Sequence, residues 1–119
     1  MHRCFLGAKL HRMVITGADL DYVGSITIDA DLLRLSGILP GERVLVADLE
    51  SGERFETYVL EGEPGSGTIC INGAAARLVH PGDRAIILQF VWVDGSESPP
   101  SPRVVVADDG NRNPRLLDV

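Results

Sequence analysis

The chain has 119 residues, of which 45% are hydrophobic, and this predicts a single domain with a buried core. Its 11 basic and 17 acidic residues give a net charge of −6, which argues against binding to nucleic-acid backbones, because such binding needs a basic face. No stretch approaches the roughly 20 apolar residues of a membrane span, and no long apolar run follows the first residues as in a signal peptide. We therefore expect a cytoplasmic protein that binds neither nucleic acid nor a membrane.

Glycine and proline, with 13 and 7 residues, are spread along the chain and predict many short strands joined by tight turns. A mainly β protein folded as a barrel fits this composition better than a helical bundle. The two cysteines, Cys4 and Cys70, have neither the spacing of metal ligands nor that of a redox pair. We expect both to be small buried hydrophobic residues in a reducing compartment, and nothing in the sequence favours a disulfide or a metal site.

Residues 3–16 predict an extended segment that Gly7 interrupts. Within this segment, Lys9, His11 and Arg12 place three basic side chains in four residues. Such a cluster is typical of a solvated strand edge, where lysine discourages aggregation. The alternative is a local basic pocket that holds an acidic small molecule.

A Gly24-Ser25 peptide lies between a predicted turn, or single helical turn, at residues 17–21 and a β-branched run at residues 26–28. The simpler interpretation is a glycine turn that leads into a strand. The alternative is that this peptide bond itself reacts. Glycine has no Cβ to keep the Ser25 hydroxyl away from the Gly24 carbonyl carbon, and it tolerates a strained backbone.

The next predicted elements are a short helix and a β-hairpin. The helix is expected at residues 32–36, where residues 29–31, with Asp29 and Asp31, offer N-cap candidates and Gly37 can end it. The hairpin is expected from strands at residues 43–47 and 53–60, because a turn that contains serine and glycine joins them.

The second strand of this hairpin alternates its side chains between two faces. Arg54 and Tyr58 share one face, about 13 Å apart if the strand is fully extended, and both are long enough to converge on a ligand between them. Thr57 is expected on the opposite face, so a bulge or a neighbouring site is needed for it to act beside Tyr58. An ordinary solvated strand shows the same pattern, and the alternation alone leaves both interpretations open.

A loop at residues 62–67 and a strand at residues 68–71 precede Asn72, Gly73 and a run of alanines. Two interpretations of this run are open. One is a turn that enters a short helix, and the other is a cradle of free backbone N–H groups for an oxyanion or a carboxylate.

The last third of the chain contains one strongly apolar segment. His80 is expected in an exposed turn, and residues 84–93 form the most apolar strand, which predicts a central position in the core. Residues 94–102 predict a long loop, residues 103–107 one more strand, and residues 108–119 a mobile or loosely docked tail.

Four segments form one pattern along the chain: KLHR at residues 9–12, YVGS at 22–25, RFETY at 54–58 and NGAAA at 72–76. In order and spacing, this pattern resembles the pyruvoyl-dependent aspartate 1-decarboxylase family, and the resemblance extends from residue 1 to about residue 106. It implies a mainly β fold, a double-psi β-barrel with short helices, assembled as a homotetramer with active sites between subunits. The catalytic domain would span residues 1–107, followed by a flexible tail at residues 108–119.

The resemblance implies that the chain cleaves itself between Gly24 and Ser25, into residues 1–24 and residues 25–119. Ser25 would become a covalently bound pyruvoyl group, the only cofactor, whose ketone forms a Schiff base with the substrate amine and withdraws electrons as CO₂ leaves. The implied reaction converts L-aspartate to β-alanine for the synthesis of pantothenate and coenzyme A. The resemblance leaves open whether cleavage is spontaneous or needs a maturation factor.

The resemblance also implies roles for individual residues. Tyr58 would donate a proton to Cα after CO₂ has left, and Lys9 and Arg54 would bind the acidic groups of the substrate. Thr57 would line the site and assist the self-cleavage. Further substrate contacts are implied for Asn72, Gly73, Ala74 and Ala75, and positions near the site for His11 and Tyr22.

Residues 25–44 contain a strand, a short helix and a GI-x-PG-x-x-V turn, and in this they are similar to AbrB-type DNA-binding regulators with swapped-hairpin barrels. The alternative function is therefore a DNA-binding module without enzymatic activity, although the negative net charge and the lack of a basic arm weigh against it. A third alternative is a barrel that serves only structure or protein interaction. Only the decarboxylase interpretation predicts a chain cut into two fragments.

Overall fold

The structure, a computed structural model, describes residues 1–118 of the chain. The helices are α1 (Ala30–Ser36) and two 3-10 helices, Gly73–Leu78 and Asp109–Asn111. The strands are β1 (His2–Val14), β2 (Gly17–Asp19), β3 (Ser25–Asp29), β4 (Arg43–Asp48), β5 (Arg54–Gly62), β6 (Ile69–Asn72), β7 (Arg84–Asp94), β8 (Arg103–Asp108) and β9 (Arg112–Leu116).

All nine strands belong to one mixed sheet, in the order β2-β6-β3-β5-β4-β7-β1-β8-β9. Three neighbouring pairs are parallel, namely β1 with β8, β2 with β6 and β3 with β5, and the other pairs are antiparallel. The register of β1 against β7 shifts twice, between Leu6 and Ala8 and between Leu10 and Met13, and such bulges bend a strand. Within residues 1–118, the edge strands β2 and β9 do not pair, so the barrel-like sheet is not closed. The predicted mainly β fold with short helices is confirmed.

The core lies on the inner side of this bent sheet. Alternation along the strands sends one set of side chains inward, and Leu10, Ile28, Val46, Ile69 and Ile87 are fully buried there. The same alternation sends the intervening side chains outward, and this outer side carries most of the candidate site residues.

Helix α1 forms where the sequence predicts it, because both ends are capped locally. The Asp29 carboxylate accepts a hydrogen bond from the Asp31 backbone N–H, and Gly37 ends the helix with φ of +79°. The Asp29 carboxylate also accepts hydrogen bonds from the N–H groups of Gly65 and Gly67, so it fixes the loop before β6 as well. None of the helices in the described residues is long and apolar enough to cross a membrane.

Three expectations from the sequence need correction. Residues 17–19 form the short strand β2 rather than a turn, because they pair in parallel with β6. Cys4 is exposed rather than buried, and Cys70 is half-buried; both are free thiols. Strand β7 is central in the sheet, as predicted, but its second half is not core, since 66% of Trp92 is exposed.

The segment after Asp108 is also better ordered than the sequence indicates. It contains a 3-10 turn and strand β9, which pairs with β8, instead of a loosely docked tail. Asn111 is buried, and its side chain bonds to the backbone N–H and C=O of Val14 and to the C=O of Gly67. These bonds fasten the segment to two distant parts of the chain. Val119 lies outside the described residues.

Candidate active site

The Gly24-Ser25 peptide lies at the start of β3, between two other strands. Ser25 is the cross-strand partner of Asn72 in β6, and the following residue pairs with β5 on the other side. Ser25 has φ of +99°, a backbone conformation that residues other than glycine rarely adopt. Within residues 1–118, its hydroxyl Oγ is buried and has no hydrogen-bond partner. Ser25 therefore combines a strained backbone with an uncommitted nucleophile.

Two glycines allow close approach at this peptide. A Cβ built on Gly24 would lie 3.6 Å from the Tyr58 hydroxyl, so the phenol lies directly beside the Gly24-Ser25 bond. Gly73 has φ of +67°, and a Cβ on it would lie 3.0 Å from the Gly24 Cα and 3.6 Å from the Tyr22 carbonyl oxygen. The sequence predicts Gly73 as a substrate contact; the structure adds a packing reason for glycine there.

The Asn72 side chain is buried and bonded at both ends. Its Nδ2 donates to the Thr27 hydroxyl at 3.1 Å, and its Oδ1 accepts from the Cys70 thiol at 3.3 Å. Sequence reasoning missed Thr27 and Cys70. The only signal for them is the period-2 alternation of β3 and β6, and it becomes informative only when the pairing of these two strands is known.

The residues after Asn72 form the 3-10 helix Gly73–Leu78, so the helical interpretation of this run is the observed one. No side chain caps the start of this helix. Its first backbone N–H groups therefore stand next to Gly24 without an internal partner, as the first N–H groups of any helix do. Of the two predicted alanine contacts, Ala74 is exposed and Ala75 is half-buried.

On β5 the predicted alternation is confirmed. Arg54, Glu56 and Tyr58 are exposed, and Thr57 is half-buried. The pairing with β4 continues over these residues without a bulge, yet Thr57 and Tyr58 line one shallow cavity of about 270 Å³. Arg43, which the sequence did not single out, lines the same cavity and forms an ion pair with Glu56 at 3.3 Å.

The register of the sheet separates the backbone positions of Lys9 and Arg54 from Tyr58, the neighbour of the Gly24-Ser25 peptide. Lys9 pairs with Leu88, which pairs with Leu45, which pairs with Glu56, so Lys9 lies three strands from β5. At about 4.8 Å per strand, this is about 14 Å along the outer side of the sheet. Arg54 lies on that same side, four residues before Tyr58, or about 13 Å along β5.

The two secondary candidates occupy different places. His11 lies on β1 near Lys9, and burial, followed by the charges of Lys9 and Arg12, lowers the pKa of its imidazole. Within residues 1–118, the His11 Nδ1 is buried and has no hydrogen-bond partner. Such burial costs a neutral imidazole less free energy than a charged one. Tyr22 is exposed, and it is the Tyr22 backbone that approaches Gly73.

In the part of the chain that the structure describes, one group of side chains has the spacing of metal ligands: Asp48, Glu50 and Asp83. It lies at the β4–β5 turn and before β7, beyond the Arg54 end of β5, whereas Tyr58 lies in the middle of that strand. It is therefore separate from the Gly24-Ser25 peptide.

The chain matches known proteins over nearly its whole length. The family model for aspartate decarboxylase matches residues 1–113. An aspartate 1-decarboxylase from Corynebacterium efficiens is 51% identical over 113 residues, which are 94% of this chain and 83% of that relative. An aspartate 1-decarboxylase from Neisseria meningitidis is 50% identical over 113 residues, which are 94% of this chain and 89% of that relative.

The family match includes all four segments of the pattern described above, whereas the similarity to AbrB-type regulators is confined to residues 25–44. It also includes the Gly24-Ser25 peptide, Tyr58 and Asn72, which the fold brings together. The chain therefore belongs to the aspartate decarboxylase family.

Proposed function

We propose that this chain decarboxylates L-aspartate to β-alanine, using a pyruvoyl group that it makes from Ser25 by cleaving itself after Gly24. Family membership and the names of both relatives support the reaction and the substrate. The observation that carries the proposal is the buried, unpartnered Ser25 hydroxyl on a strained backbone beside the Tyr58 phenol. The product β-alanine would feed the synthesis of pantothenate and coenzyme A.

The cleavage begins with the chain's own atoms. The Ser25 Oγ attacks the Gly24 carbonyl carbon, the C–N bond breaks and an ester forms, with the amino group of residue 25 set free. Loss of the Ser25 Cα proton then expels Gly24 as a carboxylate and leaves dehydroalanine, and water releases ammonia from it to give the ketone. A positive φ at a residue other than glycine costs about 1–3 kcal/mol, and breaking the bond relieves this strain.

The residues present fit the formation of such a group at position 25. The hydroxyl that must react is buried, and no hydrogen bond holds it in place. Gly24 has no side chain between the reacting carbonyl and Tyr58. When formed, the group supplies a ketone that accepts electrons as CO₂ leaves, which no ordinary side chain can do.

The remaining roles belong to side chains around this position. Tyr58 donates a proton to Cα of the product, because its hydroxyl is beside residue 24. Arg54 binds a substrate carboxylate, and Lys9 adds positive charge; neither forms an ion pair within residues 1–118. Thr57 lines the cavity beside Tyr58 and assists the cleavage.

A homotetramer with sites between subunits completes the proposal. Lys9 lies three strands from β5 in the register of its own chain, and a second copy packed against the outer side of the sheet would bring further cations to the site. The same side exposes 45% of Phe90 and 66% of Trp92, an apolar surface suited to contact between copies. Both cysteines are free, which fits a cytoplasmic location.

The test compares the parent protein with Ser25→Ala after prolonged warming of the purified chain. Denaturing intact-mass analysis should find two fragments, residues 1–24 and 25–119, for the parent and one uncut chain for Ser25→Ala. Only the parent should release CO₂ from aspartate. Ser101→Ala, at an exposed loop serine, serves as the control and should cleave as the parent does.

A parent that stays uncut and releases no CO₂ both alone and after addition of a cell extract would overturn the proposal, and salt-sensitive DNA binding by that protein would favour the regulator. Cleavage of the purified parent without any addition would show that no maturation factor is needed. Cleavage only after addition of a cell extract would assign that step to such a factor.

A further inference from the structure

The amide of Asn72 is held by two side chains that belong to no part of the mechanism above. Thr27 and Cys70 are cross-strand partners in β3 and β6, one outward-facing pair beyond Ser25 and Asn72. Thr27 accepts a hydrogen bond from Nδ2, and Cys70 donates one to Oδ1. We propose that Thr27 and Cys70 are positioning residues that fix the orientation of the Asn72 amide beside residue 25.

An asparagine side chain needs such partners if its orientation is to be unique. Its oxygen and nitrogen occupy nearly equivalent positions, so rotation by 180° exchanges a pair of acceptor sites for a pair of donors. In the observed orientation, the Cys70 thiol donates to the oxygen and the Thr27 hydroxyl accepts from the nitrogen, so both partners are satisfied. Together they favour one of the two orientations.

The orientation of the Asn72 amide matters because it determines where the amide's remaining donor and acceptor sites point. Each bond occupies one site of the amide, so one N–H and one oxygen lone pair stay free. Directly opposite partners in an antiparallel pair have Cβ atoms about 4.5–5.5 Å apart, so these free sites are within side-chain reach of residue 25. The positioning pair thus decides which polar group the amide presents there.

The thiol is itself well placed for this task. Strand β2 covers it, since Gly17 pairs with Cys70 and a Cβ on Gly17 would lie 3.2 Å from the Cys70 sulfur. Burial, followed by the nearby charge of Asp19, raises the pKa of the Cys70 thiol, so the thiol keeps the proton that it donates. A half-buried cysteine with no disulfide thereby has a defined function.

The experiment uses Thr27→Val, which keeps the shape but loses the acceptor, and Cys70→Ala, which loses the donor. Both should slow the self-cleavage and lower kcat about tenfold, because each loses one hydrogen bond that orients the amide. KM for aspartate should stay within about twofold, since Lys9 and Arg54 are untouched. Cys70→Ser restores a donor and should return both rates to within about twofold of the parent.

The control is Thr68→Val, which removes a threonine hydroxyl bonded only to Ser66 and should leave the cleavage rate and kcat unchanged. Melting temperatures of all variants accompany the kinetics. A fall in melting temperature with unchanged cleavage and kcat, or a Cys70→Ser variant as slow as Cys70→Ala, would overturn the inference. If Thr27→Val fails to fold, the comparison of Cys70→Ala with Cys70→Ser decides the question.

This inference rests on the proposed function, but the two fail differently. If the proposed function is wrong, the parent protein itself is neither cut nor active. If only this inference is wrong, the parent is cut and active, and so are the Thr27→Val and Cys70→Ala variants at parental rates.

Discussion

At the scale of residues, Ser25 and its neighbours have the features that the proposed cleavage of the Gly24-Ser25 bond requires. The hydroxyl of Ser25 has no hydrogen bond to lose before it attacks, and the positive φ stores free energy that the uncleaved chain cannot relax while both flanking strands hold it. The sequence predicts Gly24-Ser25, Tyr58 and Gly73 as site residues, and the fold brings these positions together. It could not predict Thr27 or Cys70, because their function depends on a cross-strand pairing between segments more than 40 residues apart.

Gly73 offers a prediction at this scale. Gly73→Ala should destabilise the chain by about 2–3 kcal/mol and slow the self-cleavage. The substitution has two costs: alanine is strained at a positive φ, and its Cβ would lie only 3.0 Å from the Gly24 Cα. Urea unfolding in the Ser25→Ala background measures the stability of an uncut chain, and intact-mass analysis measures the cleavage rate.

Gly82 provides the matched control for that substitution. It also has a positive φ, of +97°, but a Cβ on it would meet nothing within 4 Å. Gly82→Ala should therefore show only the conformational cost, about 1 kcal/mol, and cleave at the parental rate. Equal effects at both positions would show that the approach of residue 73 to Gly24 is unimportant.

At the scale of elements, local signals decided what the sequence could predict. Helix α1 was predicted because Asp29 and Gly37 cap it from adjacent positions. The C-terminal strand β9 was missed because its attachment is non-local: Asn111 bonds to Val14, 97 residues earlier. A polar segment whose partners are so distant in sequence shows no amphipathic pattern, and it therefore resembles a tail.

Asp48, at the end of β4, and Asp83, just before β7, form a pair of acidic side chains with a consequence for stability. Burial, followed by the neighbouring Asp83 carboxyl, raises the pKa of Asp48, against the opposing hydrogen bonds from the Ser51 and Glu50 N–H groups. The folded chain therefore binds this proton more tightly than the unfolded chain does. Its stabilising contribution is complete below the unfolded pKa, near 3.9, and is lost as the pH rises through the folded pKa.

We expect Asp48→Asn to stabilise the chain at pH 7 by about 1 kcal/mol, since an amide keeps the bonds from the turn and can donate to Asp83 without a second charge. The difference from the parent should shrink as the pH falls towards 4. Urea unfolding at several pH values, in the Ser25→Ala background, measures it. Asp94→Asn should have the opposite sign, because hydrogen bonds from Ser96 lower the pKa of Asp94.

At the scale of the whole molecule, the sequence predicts candidate site residues but not where the fold places them. Lys9 and Arg54 are both candidates, and the register of one chain puts Lys9 three strands from β5 and Arg54 four residues before Tyr58. Register alone places them there, and no local pattern in the sequence specifies the order of nine strands. In the proposed homotetramer, a second copy of the chain would bring further cations to this site.

Trp92 tests this dependence on assembly. Trp92→Ser should weaken self-association at least tenfold and reduce decarboxylation in parallel, because an exposed tryptophan on an apolar surface is a typical hot spot of an interface. Sedimentation velocity over a range of concentrations measures the association. Leu117→Ser, which removes another exposed hydrophobic side chain near the end of the chain, should leave the assembly unchanged. A fully assembled Trp92→Ser protein would contradict the proposed interface.

The pairing of β1 has a final consequence. This strand lies between β7 and β8 and pairs with both, yet it belongs entirely to residues 1–24. If the chain cleaves itself as proposed, each folded unit becomes a complex of two polypeptides held together by noncovalent interactions. Its unfolding then obeys the law of mass action, and dilution favours the separated fragments. The mature protein would therefore stay folded only while β1 remains bound between β7 and β8.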